Sequence, residues 1–129
     1  LYGPADEAEG IATIHAALDR GVTLLDTGDF YGMGRNELLI AKALRTWSGD
    51  RERALVSVKF GALRGPDGAW LGADARPAAV KSVLAYTLVR LGVDHVDLSS
   101  AWSTPRGATT PSASSSARSR PSTDPSSTP

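Results

Sequence analysis

The sequence predicts an α/β fold in which parallel strands are joined by crossover helices. Three short apolar runs, each ending in polar residues, alternate with amphipathic segments whose apolar residues recur at helical spacing. The joins between these segments are short. Because parallel neighbours need a long return connection, which a helix supplies, this alternation indicates βαβ units.

The first helix is predicted over residues 6–20. Asp6 and Glu9 have the spacing of a capping box, and Gly21 supplies the stop. One helical face carries the apolar residues Ile11, Ile14 and Leu18. A short strand, VTLL at residues 22–25, is predicted immediately after it.

The second helix is predicted from Asn36, acting as its cap, to about Trp47. Its inner face would consist of Leu39, Ile40, Ala43 and Leu44. The following run, ALVSVKF at residues 54–60, is the second predicted strand.

The third helix is predicted from Pro77, which suits a first helical position, to the residue before Gly92. Its apolar face would be formed by Val80, Val83, Leu84, Thr87, Leu88 and Leu91. HVDL at residues 95–98 opens the third predicted strand, and GPDG at residues 65–68 has the composition of a turn.

Polar side chains mark the ends of two of the strands. Doubly wound sheets and (β/α)₈ barrels both fit the pattern, and both place ligands at the carboxyl ends of their strands. Asp26 and Lys59 each close an apolar run, and Tyr31 follows Asp26 on the same loop. Adjacent strands would bring the acid and the amine together as a pair.

These three residues suit the protonation of a carbonyl oxygen. A phenol is a weak acid at neutral pH, but a neighbouring ammonium stabilises the phenolate, and a carboxylate keeps that ammonium charged and oriented. A purely structural interpretation is equally open from spacing alone. In it, Asp26 caps a turn, Lys59 is a solvated strand end, and Tyr31 is a rim aromatic.

A series of motifs in the chain resembles the aldo-keto reductases, especially their bacterial pyridoxal-reductase-like branch. The motifs are the opening LYGPADE, then GVTLLDTGDFYGMGRNE, VSVKFG and RPAAVKSVLAYTLVRLGVDHVDL, which together cover residues 1–98. The resemblance implies the first three to four βα units of a (β/α)₈ TIM barrel. It also implies NADPH-dependent reduction of an aldehyde or ketone to an alcohol.

The resemblance assigns roles to the same three residues. Asp26, Tyr31 and Lys59 match three members of the family's catalytic tetrad, and Asp26 and Lys59 are also expected to contact the cofactor. The family usually has a histidine five residues after the aspartate of the third strand. Counted from Asp97, that position is Trp102, and His95 is out of register for it.

Composition narrows the classes of partner. Lysine and arginine together number 14, as do aspartate and glutamate, so no net charge steers the chain toward nucleic acid or anionic lipid. The absence of cysteine excludes disulfides and thiolate metal sites, and Asp26 with Asp29 lacks further metal ligands. No stretch approaches the roughly 18 apolar residues of a membrane span. We therefore expect a soluble, cytoplasmic protein without a metal.

Residues 99–129 differ from the rest of the sequence. They are rich in Ser, Thr, Pro, Ala and Arg and contain no Val, Ile, Leu, Met or Phe, which predicts a disordered tail. One choice of codons for residues 101–105, read one frame over, gives Leu-Val-Asp-Pro, similar to what the family carries after this strand. We therefore expect the tail to be translated from a frameshifted coding sequence. A weaker alternative makes it an interaction arm for RNA or proteins, through Arg106, Arg118 and Arg120.

The predicted barrel is incomplete, since a full one takes roughly 250 residues and carries its phosphate sites beyond strands 7 and 8. Uncovered strand edges and apolar faces favour self-association. The alternative function is therefore that of a non-catalytic barrel fragment that acts, if at all, as a binding or assembly partner.

Overall fold

The computed structural model describes residues 6–102 of the 129-residue chain. Its helices are α1 (Glu7–Asp19), α2 (Arg35–Thr46) and α3 (Pro77–Leu91). Its strands are β1 (Leu24–Gly28), β2 (Leu55–Phe60), β3 (Ala62–Arg64), β4 (Trp70–Ala73) and β5 (Leu98–Ala101). None of the helices within residues 6–102 is long and apolar enough to cross a membrane.

The main sheet has three parallel strands in the order β1-β2-β5. Helix α2 connects β1 to β2, and α3 lies in the connection from β2 to β5. Leu24 is opposite Leu55 in the first pair, and Ser57 is opposite Leu98 in the second. This arrangement confirms the predicted α/β fold of parallel strands and crossover helices, as found in part of a (β/α)₈ barrel.

The helices cover one face of this sheet. Alternation along the strands sends Leu25, Val56 and Val58 toward the helices, where they pack in one apolar core. The helices contribute Leu18, Ile40, Leu44 and Leu91 to that core. The predicted inner faces of the helices therefore supply the buried leucines and the isoleucine of the core.

The opposite face of the sheet is uncovered within the described residues. Leu24, Leu55 and Leu98 point to this side and are 44%, 39% and 53% exposed. We call this surface the leucine face. It is the side from which Asp26 and Lys59 also project.

Two strand boundaries differ from the prediction. Strand β1 continues to Gly28, so Asp26 lies inside the strand and not after it. The third parallel strand begins at Leu98, three residues after the predicted start at residue 95. The later end of β1 has a physical reason: Asp26 projects from the uncovered face of the sheet, where a polar side chain is tolerated inside a strand.

The start of α2 also differs. Gly34, in the left-handed region at φ 86°, is the N-cap, and Asn36 lies inside the helix. The Asn36 side chain instead donates a hydrogen bond to Oγ1 of the fully buried Thr27, over 2.6 Å. Its prediction as the cap was therefore wrong, because a tertiary contact with β1 uses its amide group.

Strands β3 and β4 form an antiparallel hairpin that the sequence analysis did not predict as strands. The GPDG turn was correctly placed: it joins the two strands, with the Gly68 N–H donating to the Gly65 carbonyl over 2.9 Å. The hairpin extends the connection between β2 and α3 at the carboxyl end of the sheet.

Strand β5 includes residues 99–101, so the strand runs past the boundary expected at residue 98. The remainder of the predicted tail, residues 103–129, lies outside the described part of the chain.

Candidate active site

An ion pair links the first two strands on the uncovered face of the sheet. The Lys59 ammonium donates to Oδ2 of Asp26. The pairing register makes this possible: Gly28 is opposite Lys59, so Asp26 lies one step of the alternation behind it on the same face. The Asp26 side chain is 50% exposed and that of Lys59 is 30% exposed, so both groups remain accessible to a ligand.

The ion pair changes the pKa of its acidic member, Asp26. The Lys59 ammonium keeps the pKa of the Asp26 carboxyl below its ordinary value, and a hydrogen bond from Ser57 acts in the same direction. Asp26 is therefore ionised at neutral pH, as its pairing with Lys59 requires.

Tyr31 begins a short 3₁₀ turn, Tyr31–Gly34, three residues after β1. Its ring lies against the backbone of Gly28: a Cβ at Gly28 would be only 3.4 Å from Cδ1 of Tyr31 and 3.2 Å from Cε1 of Phe30. Because Gly28 is the register partner of Lys59, the tyrosine ring packs at the same carboxyl end of the sheet as the ion pair.

The structure thus brings Asp26 and Lys59 into direct contact and places Tyr31 beside them. Within residues 6–102, the Tyr31 hydroxyl forms no hydrogen bond with either residue. The residue as a whole is 37% exposed and therefore accessible to a ligand.

Aromatic rings flank Tyr31. Phe30 makes an edge-to-face contact with Tyr31 at 4.8 Å between ring centroids, and another with Trp102 at 5.4 Å. The ring centroid of Trp70, in the hairpin, lies 6.3 Å from that of Trp102. These rings form an apolar wall beside the polar trio, suited to the carbon skeleton of a small ligand.

Trp102 occupies the position at which the resemblance anticipated a histidine. Its backbone N–H donates to the Phe60 carbonyl over 2.6 Å, which fixes it at the end of β2. His95 lies before β5, at the amino end of the sheet, where it pairs with Asp94 over 2.6 Å. It is therefore remote from Tyr31, as its register predicted.

Asp29 does not join Asp26 in a second carboxylate pair on the open face. It instead lines a cavity of about 210 Å³ with Phe30, Met33, Arg64, Tyr86 and Arg90 among its walls. In the part of the chain that the structure describes, no group of three or more His, Cys, Asp or Glu side chains is arranged to bind a metal ion.

Ser57 is the residue at this site that sequence reasoning missed. It is buried and lies opposite Asp26 in the register of β1 and β2. The signal was available in the spacing, since Ser57 is two residues before Lys59 and must therefore share its face of the strand. Phe30 and Trp70 had no comparable signal, because a turn and a hairpin place them.

Comparisons with known proteins agree with this geometry. The model of the aldo/keto reductase family matches residues 1–105. Among curated relatives, "Probable aldo-keto reductase 1" of Glycine max is 40% identical over 97 residues, which are 74% of this chain and 27% of the relative. The aldo-keto reductase yakc [NADP(+)] of Schizosaccharomyces pombe is 34% identical over 98 residues, covering 76% of this chain and 28% of that protein.

Solved structures give the same result. A glycerol dehydrogenase from Gluconobacter oxydans superposes with a TM-score of 0.68 at 33% identity, over 78% of this chain and 31% of that one. The holo form of an aldo-keto reductase from Bacillus halodurans gives a TM-score of 0.66 at 31% identity, over 76% and 32%. The chain therefore spans roughly 27 to 28% of the length of the curated relatives that it matches.

Proposed function

The chain belongs to the aldo/keto reductase family, and on that premise we propose that it carries the proton-donating part of an NADPH-dependent carbonyl reductase. The substrate would be a small aldehyde or ketone and the product the corresponding alcohol. The cysteine-free sequence suits the reducing cytoplasm, where we place this activity.

The observation that supports the proposal most is the contact between Lys59 and Asp26 beside the ring of Tyr31. An acid, an amine and a phenol at one end of a parallel sheet are the groups that a carbonyl reduction needs for its proton. Their exposure leaves all three side chains accessible to a substrate from the open face of the sheet.

In the proposed reaction, the Tyr31 hydroxyl donates its proton to the carbonyl oxygen while the carbonyl carbon accepts a hydride. The carbonyl π bond breaks, and one C–H and one O–H bond form. Lys59 stabilises the resulting phenolate, and Asp26 keeps Lys59 charged and oriented. A proton from solvent then restores the phenol.

NADPH, when bound, supplies the hydride. The residues present fit this cofactor in part: Lys59 and Asp26 offer a hydrogen-bond donor and an acceptor at the open face, with Phe30 and Trp102 beside them. We propose Asp26 and Lys59 as the cofactor contacts of this chain. The relatives are about three to four times longer than the matched region, so we expect the isolated chain to bind NADPH weakly and to turn over slowly.

The test uses the chain in two steps. NADPH binding is first measured by nicotinamide fluorescence, and an aldehyde is then added while the loss of nicotinamide absorbance is followed. Tyr31→Phe is expected to lower turnover by about 10²- to 10⁴-fold, the usual contribution of a general acid, without weakening NADPH binding. Tyr86→Phe is the matched control, because Tyr86 is 63% exposed on α3.

Two results would overturn the reductase proposal. One is a chain that binds NADPH but reduces no aldehyde or ketone from a panel that includes both apolar and polar substrates. The other is turnover that Tyr31→Phe leaves unchanged.

A second candidate function is favoured by the leucine face. The three leucines of this face lie at neighbouring positions of the sheet and form an exposed apolar surface. Such surfaces are typical of sites that contact another protein. We propose, as the alternative, a non-catalytic barrel fragment that binds or assembles through this face and its strand edges, including by self-association. A chain that is monomeric by sedimentation, folded, and able to bind NADPH would exclude this alternative.

A further inference from the structure

A buried ion pair joins α2 to α3 behind the turn that carries Tyr31. The Glu37 side chain is 0% exposed, and its Oε2 accepts a hydrogen bond from Nε of Arg90. Arg90 also approaches the hydroxyl of buried Thr87, at 3.5 Å. The other carboxylate oxygen of Glu37, Oε1, is buried without a hydrogen-bond partner among the described residues.

A second carboxyl group lies close enough to interact with this pair. Asp29 is half-buried, and its Oδ1 is likewise buried without a partner among the described residues. Burial and the negative charge of Glu37 raise the pKa of Asp29 from its ordinary 3.8 to about 6. Asp29 and Arg90 line one cavity, and Arg90 bonds Glu37, so one guanidinium group lies near two carboxyl groups, each with a buried oxygen that has no partner among the described residues.

These three residues bracket the turn that contains Tyr31. On one side, the Asp29 N–H donates to the Lys59 carbonyl over 3.0 Å. On the other side, the Arg90 side chain packs on Gly34, where a Cβ would be 3.0 Å from both Cδ and Nε of Arg90. Tyr31 lies between these two fixed points, and its hydroxyl forms no hydrogen bond within residues 6–102.

We propose that Arg90 is a positioning residue for Tyr31: with Glu37 and Asp29 it ties the turn to α3, and protonation of Asp29 tightens this tie. The protonated carboxyl group carries a donor for a neighbouring acceptor and removes one of two negative charges around a single cation. When Asp29 ionises, two carboxylates, those of Asp29 and Glu37, share the single positive charge of Arg90. One negative charge is then left without a counterion, and the turn loosens.

The groups that face Asp29 come from three elements. Helix α2 contributes Glu37 and α3 contributes Arg90, while Arg64 of the hairpin and Tyr86 of α3 line the same cavity. We therefore expect the turn to be in its tight form below about pH 6 and in its looser form above it. The effect on turnover rests on the proposed function, whereas the effect on the turn does not.

The experiment follows the ring resonances of ¹³C-labelled tyrosine in the full chain between pH 5 and 7.5. Tyr31 is assigned by its loss in Tyr31→Phe. In the wild type, its resonances are expected to shift with one midpoint near pH 6. In Asp29→Asn, which holds a neutral side chain of the same shape, they should remain near the low-pH position throughout.

Three controls sharpen this test. His95→Gln removes a histidine whose pKa is raised by Asp94 at the amino end of the sheet, and it should leave the midpoint unchanged. Arg90→Lys should retain the transition, because it keeps the charge, and Arg90→Gln should lose it. If Arg90→Gln does not fold, Asp29→Asn alone decides the outcome.

The inference is overturned if Tyr31 shows no transition in this range, or if Asp29→Asn shows the same midpoint as the wild type. If the chain shows no reductase turnover while Tyr31 still follows Asp29, this inference stands and the proposed function fails. If turnover is present, kcat should lose its transition near pH 6 in Asp29→Asn while KM for NADPH is retained.

Discussion

Two ion pairs in this protein join a basic to an acidic side chain in very different surroundings, and the loss of the cation should cost much more stability in one than in the other. The perturbations are Arg90→Met and Lys59→Met. Each removes a positive charge while a methionine side chain covers much of the surface left by the alkyl stem. Loss of the Arg90 cation leaves the carboxylate of Glu37 unpaired, and that side chain is 0% exposed. Loss of the Lys59 cation leaves the carboxylate of Asp26 unpaired, and that side chain is 50% exposed.

The expected cost follows from this difference in exposure. An uncompensated buried charge destabilises a protein by about 3–5 kcal/mol, a large part of the roughly 5–15 kcal/mol that a whole domain has. An exposed pair contributes about 0–1 kcal/mol, because water replaces the lost partner. Replacing both buried partners, in Glu37→Met with Arg90→Met, should recover most of the loss because no isolated charge remains.

The assay is urea denaturation at neutral pH, followed by tryptophan fluorescence, to which Trp47, Trp70 and Trp102 contribute. Trp47 packs against the core, and its indole N–H donates to Asp19 over 2.8 Å, so its emission reports loss of tertiary structure. A cost below about 1 kcal/mol for Arg90→Met, or an equal cost for the two single variants, would refute the reasoning from burial.

Three further predictions concern the backbone, the core and pH. Gly34→Ala should cost more than Gly21→Ala: both glycines have positive φ, 86° and 93°, worth about 1–2 kcal/mol each, but only at Gly34 would the new methyl group meet Arg90. Equal losses in thermal unfolding would contradict this. Leu91→Ala, at a core position that is 5% exposed, should cost about 2–5 kcal/mol, against less than about 0.5 kcal/mol for Val89→Ala at 79% exposure; chemical denaturation measures both. Because the pKa of Asp29 is raised in the folded state, its contribution to stability should fall as pH rises from about 4 to about 6. The difference in unfolding free energy between the wild type and Asp29→Asn should change over that range, and a constant difference would exclude it.

The core helices were predictable from local pattern. Asp6 accepts hydrogen bonds from the N–H groups of Ala8 and Glu9, as its cap spacing indicated, and Gly92 ends α3 in the left-handed region. Apolar spacing at helical period identified the leucines that α1, α2 and α3 bury. These features depend on neighbours within a few residues, which is why sequence alone suffices for them.

The three polar residues of the candidate site were predictable from the sequence, but the residues that pack around them were not. Asp26, Tyr31 and Lys59 could be named because Asp26 and Lys59 close apolar runs and Tyr31 follows the first run, and the contact between Asp26 and Lys59 followed from strand adjacency. Ser57 was missed, although its position two residues before Lys59 places it on the same face of β2. Their catalytic roles remain proposals.

By itself, the sequence determined the alternation of the parallel strands and helices, the cap of α1 and the glycine that ends α3, and the residues that we propose for proton transfer. Only the tertiary structure decided that Asn36 bonds Thr27 and that Asp29, Glu37 and Arg90 share one buried cluster. Arg90 and Glu37 are 53 positions apart in the chain. Local propensity carries no information about contacts at such separations, because they depend on how α2 and α3 pack once the sheet has formed.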